Sequence, residues 1–166
     1  MPEKTHTDRS VKAVRCFVVT ISDTRDQTTD GSGATIKALL SSHGHSVAGY
    51  EIVRDEPNDI RALIVRVLTA VDVVILNGGT GVAPRDGTYE VVSSLLDKRI
   101  DGFGELFRFL SYEEIGAAAM LSRTIAGTVG TRVVVSLPGS RGAVELAMSK
   151  LLLPQLGHMV AQARGL

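Results

Sequence analysis

The chain is short of most features that would place it in a specialised class. Its 166 residues include a single cysteine, Cys16, so no intrachain disulfide can form. A cytoplasmic location is the default expectation for that cysteine usage. Cys16 lies in the apolar run "CFVV" and is read as a small buried hydrophobe. Neither sign of charge is in excess, since 18 basic side chains balance 18 acidic ones. No overall field then favours nucleic acid or an anionic membrane. No apolar run approaches the roughly 18 residues that a membrane span needs. The opening "MPEKTHTDRSVK" lacks the apolar centre of a signal peptide, and residues 1–12 are expected to form a disordered tail. His6, His43, His45 and His158 show no metal-ligand spacing and are expected on the surface. Repeats, linkers and low-complexity tracts are absent, so residues 13–166 are expected to form one domain.

What is present is a regular alternation of apolar patterns. Residues 14–21, 71–76 and 132–137 are β-branched runs without polar alternation, the mark of strands buried on both faces. Residues 46–53 and 125–129 are further strand candidates. Ile60, Leu63, Ile64, Val67 and Leu68 fall at helical spacing after Pro57, which suits a first helical turn. Residues 88–98, most of 102–122, and the segments after "PGSRG" and Pro154 also read as helices. Strands alternating with helices predict right-handed crossovers. The fold expected is a three-layer α/β/α sandwich around a mostly parallel sheet.

In such a fold ligands sit beyond the carboxyl ends of the strands, so a site is sought in the loops that leave them. Loops 22–33, 54–58, 78–88 and 138–142 stand out. In "ILNGGTGVAPRDGT", Gly78, Gly79 and Gly81 can turn backbone N–H groups toward an anion, and the dipole of the next helix points at the same place. No Gly-Lys-Ser/Thr follows, which excludes a Walker A loop, and no third glycine follows, which excludes a dinucleotide fingerprint. A second glycine turn, Pro138-Gly139-Ser140, leaves another β-branched strand and faces the same crevice. Asp23, Asp55 and Asp86 each follow a strand. Either they meet around a divalent cation bound to phosphates, or Asp55 and Asp86 cap the helices that follow. Arg85 and Arg123 either grip phosphate or point into water.

The motifs "TISDTR", "DGSG", "VRDEP", "NGGTGVAPRDGT", "GFGELFR", "MLSR" and "SLPGSRGAVELA" occur in this order. Together they resemble the MoaB/MogA family of molybdenum cofactor biosynthesis proteins, from about residue 14 almost to residue 166. The segment "GFGELFRFLSYEEIGAAAMLSRTIAGT" places the resemblance nearer MoaB. The resemblance implies a molybdopterin-binding-like fold and binding of molybdopterin, a pterin dithiolene ending in a monophosphate. It also implies Mg²⁺-dependent transfer of AMP from ATP to that phosphate, with pyrophosphate released. The family's essential acidic pair maps onto Asp55 and Asp86, expected to hold Mg²⁺, with Glu105 of "GFGE" near them. Its glycine loop maps onto Gly78, Gly79, Thr80 and Gly81, and its "LSR" serine onto Ser122. Arg85, Arg123, Pro138, Gly139 and Ser140 complete the expected binding set. Trimers or hexamers of trimers are implied, with other cofactor-biosynthesis proteins as further partners. The chain departs from the family at "RDGTYE", where Gly87 and Tyr89 replace the valine and proline of "RDVTPE". The alternative is a pterin-binding or protein-interaction module of the same fold without catalysis, and retention of Asp55, Asp86 and the glycine loop favours the enzyme.

Overall fold

A computed structural model describes residues 10–166. The chain runs β1 (Arg15–Ile21), α1 (Gly31–Ser42), β2 (Ser46–Val53), α2 (Pro57–Leu68), β3 (Val73–Asn77), α3 (Thr88–Leu95), β4 (Lys98–Arg99), α4 (Asp101–Ile115), β5 (Ile125–Val129), β6 (Arg132–Leu137), α5 (Arg141–Ala147) and α6 (Leu153–Ala163). Side chains of β1 alternate between two apolar clusters: Cys16 and Val18 enter one, Val19 and Ile21 the other. Strand β3 divides Val73 and Ile75 from Val74 and Leu76 in the same way. Apolar side chains on both faces require cover on both faces. Helices α1, α4, α5 and α6 supply it on one side, α2 and α3 on the other. The sheet order is β2-β1-β3-β6-β5-β4, with the first four strands parallel and β5 antiparallel to both its neighbours. The three-layer sandwich is as expected from the sequence. Cys16 is fully buried, and burial, with Asp72 adding, pushes its thiol up to about 12.

Several boundaries differ from expectation. Helix α3 stops at Leu95 instead of reaching residue 98. Leu96 turns extended, and Asp97 N–H bonds to Thr128 O at 2.8 Å, so the sheet edge captures the chain. The run 116–121 is a 3₁₀ turn rather than α-helix, set off by Gly116 at φ 69°. Segments α5 and α6 are joined by a π turn, Met148–Leu152, that ends two residues before the donor-less Pro154. Residues 1–9 of the expected tail lie outside the described residues, His6 among them. Val11 is not loose: its N–H donates to Gly157 O at 3.0 Å. Nor are the histidines uniformly superficial, since His45 Nδ1 accepts from Val14 N–H at 3.2 Å and His158 is half-buried.

The chain leaves β1 toward β2 and leaves the neighbouring β3 toward β4 at the far edge, so the connections depart from the carboxyl ends of these two strands in opposite directions. A crevice opens at such a switch point. Because β5 runs antiparallel to β6, the chain entering it at 122–124 reaches the same edge. No helix among the described residues is long and apolar enough to cross a membrane.

Candidate active site

The loops leaving β1, β2, β3 and β6 and the segment entering β5 enclose a cleft of about 510 Å³. Asp55, Asp86, the whole Gly78–Gly81 turn, Ser122, Pro138 and Gly139 all line it. The turn is held open by glycine where no other residue fits. Gly78 has φ 105°, and a Cβ there would lie 2.4 Å from Ile21 O. Gly79 has φ 67°, and its Cβ would meet Thr88 Oγ1 at 2.2 Å and Asp55 Oδ2 at 2.9 Å. Gly78 N–H bonds to Leu137 O, whereas the N–H groups of Gly79, Thr80 and Gly81 make no hydrogen bond within the described residues. Three adjacent donors without acceptors form an anion nest. Ser122 Oγ and Thr88 Oγ1 are buried beside it without partners among the described residues.

Neither carboxylate caps a helix. Helix α2 follows Glu56 and α3 follows Gly87, each without a side-chain cap bond. Asp55 is only 9% exposed, and its Oδ1 accepts a long 3.4 Å bond from Gly87 N–H. Burial pushes its carboxyl above the ordinary range, and the charges of Asp86 and Asp23 add to the shift. The Gly87 N–H and the Arg85 charge offset an ionised Asp55 only in part, an arrangement that a cation would relieve further. Asp86 Oδ2 accepts from Ala83 N–H at 3.0 Å, which ties the carboxylate to its own turn. Helix α3 begins at Thr88 despite the missing proline, so Asp86 keeps its aim into the cleft.

Other expected site residues have different work. Arg85 lies at the surface, its side chain 54% exposed, and pairs there with Asp23 through two bonds of 2.8 and 3.0 Å and with Glu56 through one of 2.7 Å. That guanidinium keeps the Asp23 carboxyl below the usual range, and Asp23 also accepts from Asp55 N–H at 3.1 Å. Arg123 braces the glycine turn, donating to Gly81 O at 2.8 Å and Asp86 O at 3.1 Å while pairing with Glu90. Ser140 caps α5 through Ala143 N–H and does not line the cleft. Glu105 is exposed on α4, and no three His, Cys, Asp or Glu among the described residues surround one point.

The sequence reading missed a buried network behind the cleft. Asp30, 2% exposed, accepts from Thr20 Oγ1 at 2.6 Å, from Gly33 N–H at 2.9 Å and from the Tyr50 hydroxyl. Arg25 and Ser32 both donate to Gly139 O, at 3.2 and 2.8 Å, which anchors the second glycine turn. The one available signal was Asp30 before "GSG", an N-cap pattern. Burial alone would raise the Asp30 carboxyl, but the Thr20, Tyr50 and Gly33 donors together hold it below its usual range. A depressed carboxyl stabilises the fold above its unfolded value, near 3.9, and loses that contribution as pH falls through the folded value. Tyr50→Phe removes one donor, so the acid-unfolding midpoint, followed by circular dichroism, is expected at a higher pH. An unchanged midpoint would contradict the network.

Residues 17–158 match a family model described as "Probable molybdopterin binding domain". The chain belongs to this family, and its fold is the molybdopterin-binding fold of MoaB and MogA structures. It is 55% identical over 157 residues to Molybdenum cofactor biosynthesis protein B of Bacillus cereus, covering 93% of each chain. A crystal structure of a Molybdenum cofactor biosynthesis protein B superposes with TM-score 0.90 at 54% identity, over 93% of this chain and 98% of that one. The tungsten cofactor synthesizing protein MoaB of Pyrococcus furiosus superposes with TM-score 0.84 at 35% identity, over 93% and 99%.

Proposed function

We propose that this protein acts in molybdenum cofactor biosynthesis as a cytoplasmic molybdopterin adenylyltransferase. One observation carries the reading: Asp55 and Asp86 line the same cleft as the donor-rich turn of Gly79, Thr80 and Gly81. The reaction joins an oxygen of the molybdopterin monophosphate to the α-phosphorus of ATP and breaks the bond to pyrophosphate. It needs alignment and charge stabilisation rather than a covalent nucleophile. The free N–H groups bind phosphate oxygens as negative charge shifts toward the leaving group. Ser122 Oγ, buried and without a partner among the described residues, supplies one further donor or acceptor in the cleft. Pro138 and Gly139, held by the bonds of Arg25 and Ser32 to Gly139 O, form one wall of the cleft.

Asp55 and Asp86 fit a Mg²⁺ ion, which takes one or two carboxylates and completes its shell with water and phosphate oxygens. Bound there, Mg²⁺ would neutralise phosphate charge. Pyrophosphate release from ATP is expected only with molybdopterin present, and is expected to disappear in excess EDTA. Release that persists in EDTA would remove the metal role.

Self-association as trimers, or as hexamers built from them, belongs to the same proposal. Phe109, Tyr112, Ile115 and Met120 stand 63%, 62%, 59% and 75% exposed on α4 and the 3₁₀ turn after it. An apolar patch of this kind marks a protein contact surface. Sedimentation is expected to give three copies or a multiple of three at micromolar concentration, and Phe109→Glu to lower that mass. A wild-type chain that sediments as a monomer would contradict it.

A further inference from the structure

Behind Ser122 lies a second cleft, of about 290 Å³, that shares Ser122 with the first and whose other lining residues the adenylyl-transfer proposal leaves without a role. Its wall includes Arg99, Arg108 and Arg123, the start of α4 at Asp101 and Gly104, and Ser122 itself. Arg123 is already neutralised by Glu90, and Arg99 lies 3.7 Å from Asp101. Arg108 is different. It is half-buried and has no carboxylate at ion-pair distance among the described residues, and its one hydrogen bond is a 3.3 Å contact from Nη1 to Ser122 O. Half-buried charge without a counter-ion is costly.

The position of Arg108 sharpens the point. A Cβ on Gly104 would lie 3.0 Å from both terminal nitrogens of Arg108, so the bare glycine lets the guanidinium fold back over the first turn of α4. That is the positive end of a 15-residue helix, and Ile100 before it provides no side-chain cap. The fold thus gathers three guanidinium groups and the first turn of α4 around one cavity. Glu90 offsets Arg123 there, Asp101, 75% exposed in its side chain, lies near Arg99, and no carboxylate among the described residues pairs with Arg108. Tyr89 fixes the geometry. Its ring lies 5.7 Å from the Arg99 guanidinium and 5.1 Å from that of Arg123, and its hydroxyl accepts from Arg99. This is the position where the family motif has a proline, which can do neither.

We propose that this cleft is a second anion site and that it takes a phosphate group, free or carried by a small molecule. Donors from Arg99, Arg108, the α4 N-terminus and Ser122 approach from several directions. A tetrahedral oxyanion satisfies such a set, whereas a planar carboxylate is matched by one guanidinium fork. The inference does not depend on adenylyl transfer.

Backbone amide shifts of the full chain, titrated separately with inorganic phosphate, inorganic pyrophosphate and acetate, test it. Both phosphates are expected to produce saturable shifts at Asp101, Gly104 and Thr124, with acetate far weaker. Arg108→Gln is expected to weaken that binding at least about tenfold. Shifts at Gly79 and Gly81, which report the first cleft, are expected to follow their own curve and to be unaffected by Arg108→Gln. Although the two clefts share Ser122, the two sets of shifts report on them separately. Silence at Asp101, Gly104 and Thr124 in the wild type would overturn the proposal. An equal response to acetate, or an Arg108→Gln titration matching wild type, would overturn it as well.

Discussion

Asp86→Asn is expected to transfer AMP at least about a hundredfold more slowly than wild type, on the order of 3 kcal/mol in the barrier. The melting temperature should hardly move. Asp86 makes no helix cap, and the one hydrogen bond of its carboxylate among the described residues, from Ala83 N–H, can equally be accepted by the Asn carbonyl oxygen. What Asn removes is the charge, and with it a ligand suited to a hard cation. Asp55→Asn should lose activity to a similar degree without loss of stability, because the native carboxylate is buried beside like charges that penalise its ionised form. Steady-state AMP transfer and a melting curve on each variant separate the two effects. Near wild-type turnover in well-folded Asp86→Asn would take the carboxylate out of the reaction.

Gly78→Ala is expected to cause the largest loss of stability of any single methyl group added at the site. At φ 105° an L-residue is strained, and the new Cβ would lie 2.4 Å from Ile21 O, a backbone atom at the end of a central strand. Strain and overpacking each cost about 1–3 kcal/mol. Their sum corresponds to a fall in melting temperature of roughly 10 °C for a domain of this size. Gly142→Ala is the control, since a Cβ there meets nothing within 4 Å. Equal melting temperatures for the two variants would show that the tight turn is not needed.

Much of the fold was legible because local pattern and burial agree. The strands apolar on both faces, β1, β3 and β6, are central, and Ile60, Leu63, Ile64 and Val67 form the buried stripe of α2. Even the reversal of β5 has a local cause, since the two-residue link Gly130-Thr131, with Gly130 at φ 57°, can join only antiparallel neighbours. The end of α3 was not legible, because the pull of Thr128 on Asp97 comes from residues far along the chain. At the site, glycines and carboxylates could be named because each follows a strand. The work of the arginines could not. Whether Arg85 meets phosphate or Asp23, and whether Arg123 faces solvent or braces Gly81, depends on partners 62 and 42 residues away. The network around Asp30 was hidden for the same reason, since Tyr50 reaches it from the neighbouring strand.

The most direct measurement is mass detection of the pterin after incubation of the protein with molybdopterin, ATP and Mg²⁺. The account predicts adenylated molybdopterin together with pyrophosphate, and neither product when Asp86→Asn replaces the wild type. Molybdopterin that binds to the wild-type protein yet is recovered unmodified would contradict it, leaving a binding module of the same fold.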